Sequence, residues 1–451
     1  MELVKVNKPI QKNDLVLFLL TVGGVFFTTL ALFFSYNILF LILFGFFWFL
    51  SLFIIVLLGN SNPIASAYSL GFFLYFYQVP FIEKIAERSE GVYSLTLTSS
   101  ALGEYFYLYA LILMFNFIIV IFFKYKFRNW NLYFEDKDFQ KWLSRLIFPS
   151  LFVSYIMLIY TIHKIGGFSS FLTLNKFESV QEAKFLFFTW KEFSVLGMAA
   201  LVFSRSKNLL YYILAIFLVF IELLTAKRLL FLCLTFFGYV VYLRRMSVKV
   251  FLLLILAVIF SNLLKYTYYG LKGFFSGQND ASSIIWFEWE DFFSDTLLVG
   301  EFSAHLRLSY LNIYYGISHD VGNFFEMLGS MLPLASYLDL DYITAGEYLK
   351  NYLNEPWSGL ASSMYLNPYL SFSLFGILFV YLLYIIIVSF IYSFAKKWNL
   401  FKLIFISILP LAFFYIQREE LIIVTRNIYV YTPSAILIVF ITTCIKAMRK
   451  L

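Results

Sequence analysis

The chain reads as a succession of apolar stretches divided by polar turns. They fall near residues 15–34, 37–58, 64–80, 102–123, 146–162, 187–203, 208–225, 228–243, 249–264, 367–394, 400–416 and 420–445. As helices, nearly all are long enough to cross ~30 Å of hydrocarbon. The pattern predicts an all-α polytopic membrane protein of about 12 transmembrane helices. Stretch 64–80 carries the weakest signal, being rich in Ser and Tyr with Pro63 and Pro80 at its ends. One interval leaves the pattern at length. Residues 265–366 hold two of the three histidines, a dense aromatic population and a concentration of acidic side chains. The predicted organisation is a membrane bundle of about nine spans over 1–264, a helical loop over 265–366, and a bundle of about three spans over 367–451.

Composition sharpens this picture. The 451 residues are 61% hydrophobic and 14% charged, against ~45–50% and ~25% in soluble domains. The ~10-residue alternating segments of a membrane β-barrel are absent. The formal charge of +7 does not point to nucleic acid, because the basic residues lie in short turns between spans, where they set topology. With the N-terminus in the cytoplasm, 20 of the 34 basic residues and five of the 27 acidic ones fall on the cytoplasmic side. Both termini are then cytoplasmic, and 265–366 is extracytoplasmic. Lys5, Lys8 and Lys12 precede the first span; no small-residue cleavage site ends it, so it is expected to be a retained helix. A second outer segment, 163–185, contains Gly166 and Gly167 and a polar run, and suggests a smaller cap. Cys233 and Cys444 lie within apolar spans and are expected as core residues, not as a disulfide or metal pair.

The long interval is too aromatic for a linker, with Trp286, Phe287, Trp289, Phe292 and Phe293 in one run. Amphipathic helices lying on the outer leaflet are expected there. Trp286, Trp289 and Trp357 are candidates for stacking on sugars, with interfacial anchoring as the alternative. Glu301 and His305 are spaced i,i+4 on one helix face, with Arg307 nearby. A carboxylate beside an imidazole suits a general base near neutral pH; an exposed ion pair is the alternative. Asp291 and Asp295 make a second acidic pair, too few ligands for a metal site, and His319-Asp320 reads as a turn.

Four cations stand at span mouths. Lys227 and Arg228 occupy an outer turn, where topology does not ask for cations; snorkelling to the interface is one explanation, partnership with Glu222 another. Arg418 and Arg426 lie on one predicted helix, ~12 Å apart in height and ~80° apart in angle. Arg426 would sit two turns deep among Ile422, Ile423, Val424 and Ile428, at a cost of at least ~2.5 kcal/mol without a wet cavity or a partner. It is either paired with Glu419, Glu420 or Glu104, or part of an anion site, since guanidinium holds phosphate bidentately and keeps its charge.

The order of elements resembles the Wzy-type O-antigen and capsule polymerases, which have many spans, a large outer loop in the C-terminal half and arginines at span mouths. Thr225-Ala226-Lys227-Arg228 is similar to their basic turn, without the glycines that often precede it. Ser358-Gly359-Leu360-Ala361-Ser362, with Asn367-Pro368 and Phe375-Gly376, is similar to the segment leading from loop to span. Arg418-Glu419 with Arg426 resembles their late arginine segment, and Gly300-Glu301-Phe302 an acidic element of the loop. The resemblance covers roughly residue 220 to the end. It implies a metal-independent, cofactor-free glycosyltransferase of the bacterial cytoplasmic membrane, joining polyprenyl-diphosphate-linked oligosaccharides at the outer face. Lys227, Arg228, Arg418 and Arg426 would bind the diphosphate leaving group, where transition-state charge gathers, and Glu301 or His305 would be the base. Partners would be the lipid-linked oligosaccharides, the bilayer, and a chain-length regulator and flippase of the same pathway; no nucleic acid is implied. An O-antigen ligase, a flippase or transporter of lipid-linked sugars, and a non-catalytic assembly factor are the competing expectations.

Overall fold

A computed structural model describes residues 12–34, 37–82, 98–173, 188–225, 229–244, 304–332, 342–353, 363–417 and 420–448, with a few positions between 247 and 256. The described elements are helical. In order they are α1 (Lys12–Phe34), α2 (Ile38–Gly59), α3 (Pro63–Phe76), α4 (Ser99–Lys126), α5 (Trp130–Phe134), α6 (Lys137–Lys164), α7 (Phe168–Thr173), α8 (Trp190–Phe203), α9 (Leu209–Leu223) and α10 (Leu229–Gly238). After them come α11 (Ala304–Tyr314), α12 (Val321–Ser330), α13 (Ala345–Leu353), α14 (Leu366–Ala395), α15 (Asn399–Leu409) and α16 (Leu421–Met448). Among the described residues, seven helical stretches are long and apolar enough to cross a membrane, and Leu209–Leu223 and Leu229–Leu243 are shorter apolar helices. The chain is a helical membrane protein. The predicted span 249–264 lies almost wholly outside the described residues.

The long helices run alternately between two poles. At one, Glu135 pairs with Arg205 at 3.1 Å and with Arg244 at 2.7 Å, and the Asn62 amide donates to Phe123 O at the end of α4 (3.1 Å). Lys396 lies over the Tyr133 ring and Lys402 over Phe139 at this end. This is the basic pole. At the other, polar pole, the Tyr369 hydroxyl at the head of α14 reaches Glu104 at the head of α4 (3.0 Å), and Phe33 at the tail of α1 packs against Gly103. The head of α1 and the tail of α16 therefore share the basic pole.

The weak stretch 64–80 becomes α3, only 14 residues long. At about 21 Å it is shorter than the ~30 Å hydrocarbon layer. Its Ser and Tyr content follows from its place: nearly every residue is buried, so its polar groups meet other helices. Ser66 bonds Tyr239, and the Tyr68 hydroxyl donates to Asn116 at 2.5 Å. The Asn116 amide in turn donates to Tyr381 at 2.7 Å. Such bonds satisfy buried polar groups and fix helix register in a layer that offers them no water.

The expectation of helices lying along the outer leaflet fails for α11. Leu306, Leu308, Tyr310 and Leu311 are all buried, and the Tyr109 hydroxyl of α4 donates to Ser309 at 3.0 Å. This helix plugs the bundle above the end of α3. Its apolar residues lie on all sides, which is the signature of burial rather than of an interface. Helices α12 and α13 keep an exposed side, with Phe325 and Tyr352 outward.

Helix α14 contains a reversal. Ser373 has φ 51° and ψ −132°, dividing a short head, 366–372, from the long limb that follows. The head folds back so closely that a Cβ on Gly376 would lie 2.0 Å from Pro368 O. Only glycine admits that approach.

Candidate functional site

The polar pole gathers carboxylates from three directions. Glu420 immediately precedes α16 and is only 6% exposed. Its carboxylate accepts from the Tyr342 hydroxyl at 2.5 Å and from the Asn367 amide at 2.7 Å. Asn367 also bonds the Tyr342 hydroxyl. Three distant pieces of chain thus close on one carboxylate: the segment before α13, the folded-back head of α14, and the N-terminus of α16, whose free N–H groups favour an anion. Burial first, and the Glu420 charge second, raise the Tyr342 hydroxyl well above its usual pKa of 10, so it remains a donor at neutral pH.

A second set of contacts holds this arrangement. The Asn323 side chain donates to Ile343 O (3.1 Å) and accepts from Ile343 N (2.9 Å), as a backbone strand would. It also donates to His319 Nδ1 at 3.1 Å, which places the imidazole proton on Nε2. The His319 backbone N–H donates to Leu370 O in the head of α14 (3.1 Å). Burial pushes the His319 pKa down from 6.5 to about 4, so the ring is neutral. The turn falls at 315–316 instead of at His319-Asp320, which lie in non-helical chain leading to α12, with Asp320 extended as its N-cap.

Glu222 is fully buried near the end of α9. It takes Lys191 at 2.7 Å and caps α10 by accepting from Leu230 N at 2.6 Å; the expected partnership with Lys227 or Arg228 falls outside the described residues. The turn between α9 and α10 is thereby fixed at both of its described ends. Lys227, Arg228, Glu301, Arg418, Trp286, Trp289 and Trp357 lie outside the described residues.

Arg426 stands six residues into α16, about 7.5 Å below its first residue. It is exposed on the side of the bundle, and among the described residues no carboxylate pairs with it. Glu104, one of its expected partners, is engaged by Tyr369. His305 is fully buried, its ring 5.8 Å from that of Tyr75 and 5.3 Å from that of Phe76. Cys233 and Cys444 are free thiols in separate helices. Among the described residues no three His, Cys, Asp or Glu side chains come together as metal ligands.

The pole can therefore present a held carboxylate, Glu420, and a helix carrying an exposed cation. Glu420 was named in the sequence only as a partner for an arginine. Its two hydrogen-bond donors lie 78 and 53 residues away, beyond any spacing rule; the signal for it was its place beside Arg418 at a span mouth. No protein-family model, no curated protein and no solved structure matches this chain.

Proposed function

We propose that this protein is a polysaccharide polymerase with about twelve spans, cytoplasmic termini and an extracytoplasmic loop over 265–366. It would join polyprenyl-diphosphate-linked oligosaccharide repeat units at the outer face of a bacterial cytoplasmic membrane. The acceptor hydroxyl attacks the anomeric carbon of the donor, the bond to the diphosphate breaks, and the hydroxyl proton passes to a base. Arg228, Arg418 and Arg426, with Lys227, stabilise the leaving diphosphate. The base is Glu301 or His305, and Glu420, held at the polar pole, is a further candidate.

The observation that carries this reading is the closure of loop segment, folded-back helix head and α16 N-terminus on one buried carboxylate at the polar pole. Chemistry at one face needs polar groups at one pole, whereas a transporter needs them near the midplane of both halves. The alternation of helices with a basic pole also agrees with the positive-inside rule.

The test is polysaccharide chain length in cells producing Arg228→Ala, Arg418→Ala, Arg426→Ala and Glu420→Gln at equal membrane levels. Each change is expected to remove long chains and leave single repeat units, with a loss on the order of 10²-fold or more where a charge on the leaving group goes unmet. Normal long chains in all four variants would sink the proposal.

A further inference from the structure

Helix α12 divides its residues among three directions. Phe324 and Met327 are buried against the bundle, where the Phe324 ring lies 5.1 Å from that of Phe372 and 5.5 Å from that of Phe379, both on α14. At about 100° per residue, Asn323, Glu326 and Ser330 fall on a second arc. Val321, Phe325 and Leu328 fall within about 60° of one another on a third, nearly opposite the polar one. Phe325 is 61% exposed, and Val321 is exposed beside it, as is Leu332 just past the helix. An apolar stripe with a polar arc behind it is the pattern of a helix lying at a membrane surface.

The apolar surface does not end with α12. Leu328, Met331 and Leu332 share one wall with Phe379, Leu383 and Ile386 of α14. Helix α14 is long and apolar enough to cross the membrane, and its Leu382, Ile386 and Phe390 are exposed. The stripe thus continues a lipid-facing surface up to the polar pole, so hydrocarbon borders it from below. The first turn of α12, in contrast, is tied to the candidate site. Asn323 exchanges two bonds with Ile343, next to Tyr342, and the His319 N–H donates to Leu370 O, three residues from Asn367. Tyr342 and Asn367 are the two donors to Glu420. Both are therefore supported from one place.

We infer that α12 is seated on the lipid leaflet at the polar pole through Val321, Phe325 and Leu332, and that this seat keeps Tyr342 and Asn367 on Glu420. The leaflet fixes the helix, and the helix fixes both donors. That Glu420 serves a reaction rests on the polymerase reading above; the seat itself does not.

The experiment uses the full-length protein, with Cys233→Ala and Cys444→Ala, in nanodiscs of phosphatidylethanolamine and phosphatidylglycerol. Nitroxide labels are placed singly at Phe325→Cys, Glu326→Cys and, as a lipid-facing reference on α14, Phe390→Cys. Collisions with dissolved oxygen, which concentrates in hydrocarbon, are compared with collisions with a nickel chelate, which stays in water. The label at 325 is expected to favour oxygen as the label at 390 does, and the label at 326 to favour nickel. Nickel preference at 325 overturns the inference, and so does shielding from both reagents, as under a protein partner or another part of this chain. Hydrogen exchange reads the coupling. Phe325→Asp is expected to speed exchange of the Ile343 and His319 amides about tenfold, with Phe325→Leu and the amides of α8 unchanged. Should Phe325→Asp fail to fold, Phe325→Ser gives the same comparison. Exchange equal to that of the parent overturns the coupling. Neither readout measures chain growth, so the two proposals fail separately. Normal chains in the arginine and Glu420 variants, with the label at 325 in lipid, remove the polymerase and keep the seat. Lost chains with that label in water do the reverse.

Discussion

Glu104, Glu222 and Glu420 each accept hydrogen bonds from side chains or backbone of other helices, while Arg426 faces outward without a described carboxylate. A fixed anion can act as a proton acceptor only if its position is kept, and that position depends on the neutral ring of His319. With a pKa lowered from 6.5 to about 4, His319 binds fewer protons folded than unfolded between those values. Its contribution to stability is complete above pH 6.5 and is lost as pH falls toward 4. The loss should not exceed about 3 kcal/mol, each pH unit being worth about 1.4 kcal/mol. Unfolding of the purified protein followed at pH 7, 5.5 and 4 checks this: His319→Gln should flatten the decline, and an unchanged profile would remove His319 from the account. Arg426 was legible in the sequence because hydrocarbon penalises an arginine wherever the helix is. Glu420 was legible only as a charge, since the fold supplies its partners.

Helix α14 shows what one glycine can hold. Its head approaches its own limb so closely that Gly376→Ala would drive a methyl group into Pro368 O, a backbone atom that cannot step aside. That variant is expected to open the head, withdraw Asn367 from Glu420, and cost more than ~1 kcal/mol. Ser373→Gly should act in the opposite sense, relieving a positive φ and adding up to about 1 kcal/mol. Thermal unfolding in detergent separates the two; equal melting temperatures for Gly376→Ala and the parent would show that the fold-back does not exist. The long spans were legible from hydrophobic length. The burial of the 14-residue α3 and of the inserted α11 was not legible for one reason: periodicity tells a buried face from an exposed one, but not membrane from protein as the apolar surroundings.

Across the molecule, the described basic turns around Glu135, Arg205, Arg244 and Lys396 lie together at one pole. In a background with Cys233→Ala and Cys444→Ala, Lys164→Cys should react with an impermeant maleimide in intact cells, and Lys207→Cys only after permeabilisation. The reverse pattern would invert the molecule and place the candidate site in the cytoplasm. Burial of α3 beneath α11 also bears on the order of events during synthesis. Phe76 meets His305, yet 228 residues separate the end of one helix from the first position of the other. At 5–20 residues per second, α3 emerges roughly 10–50 s before its cover. For that time the end of α3 is sheltered by the insertion machinery or by α2 and α4, the latter already supplying Asn116 to Tyr68. The bundle is thus completed late, and a chain released before α11 would leave Tyr75 and Phe76, at the end of α3, without His305 against them.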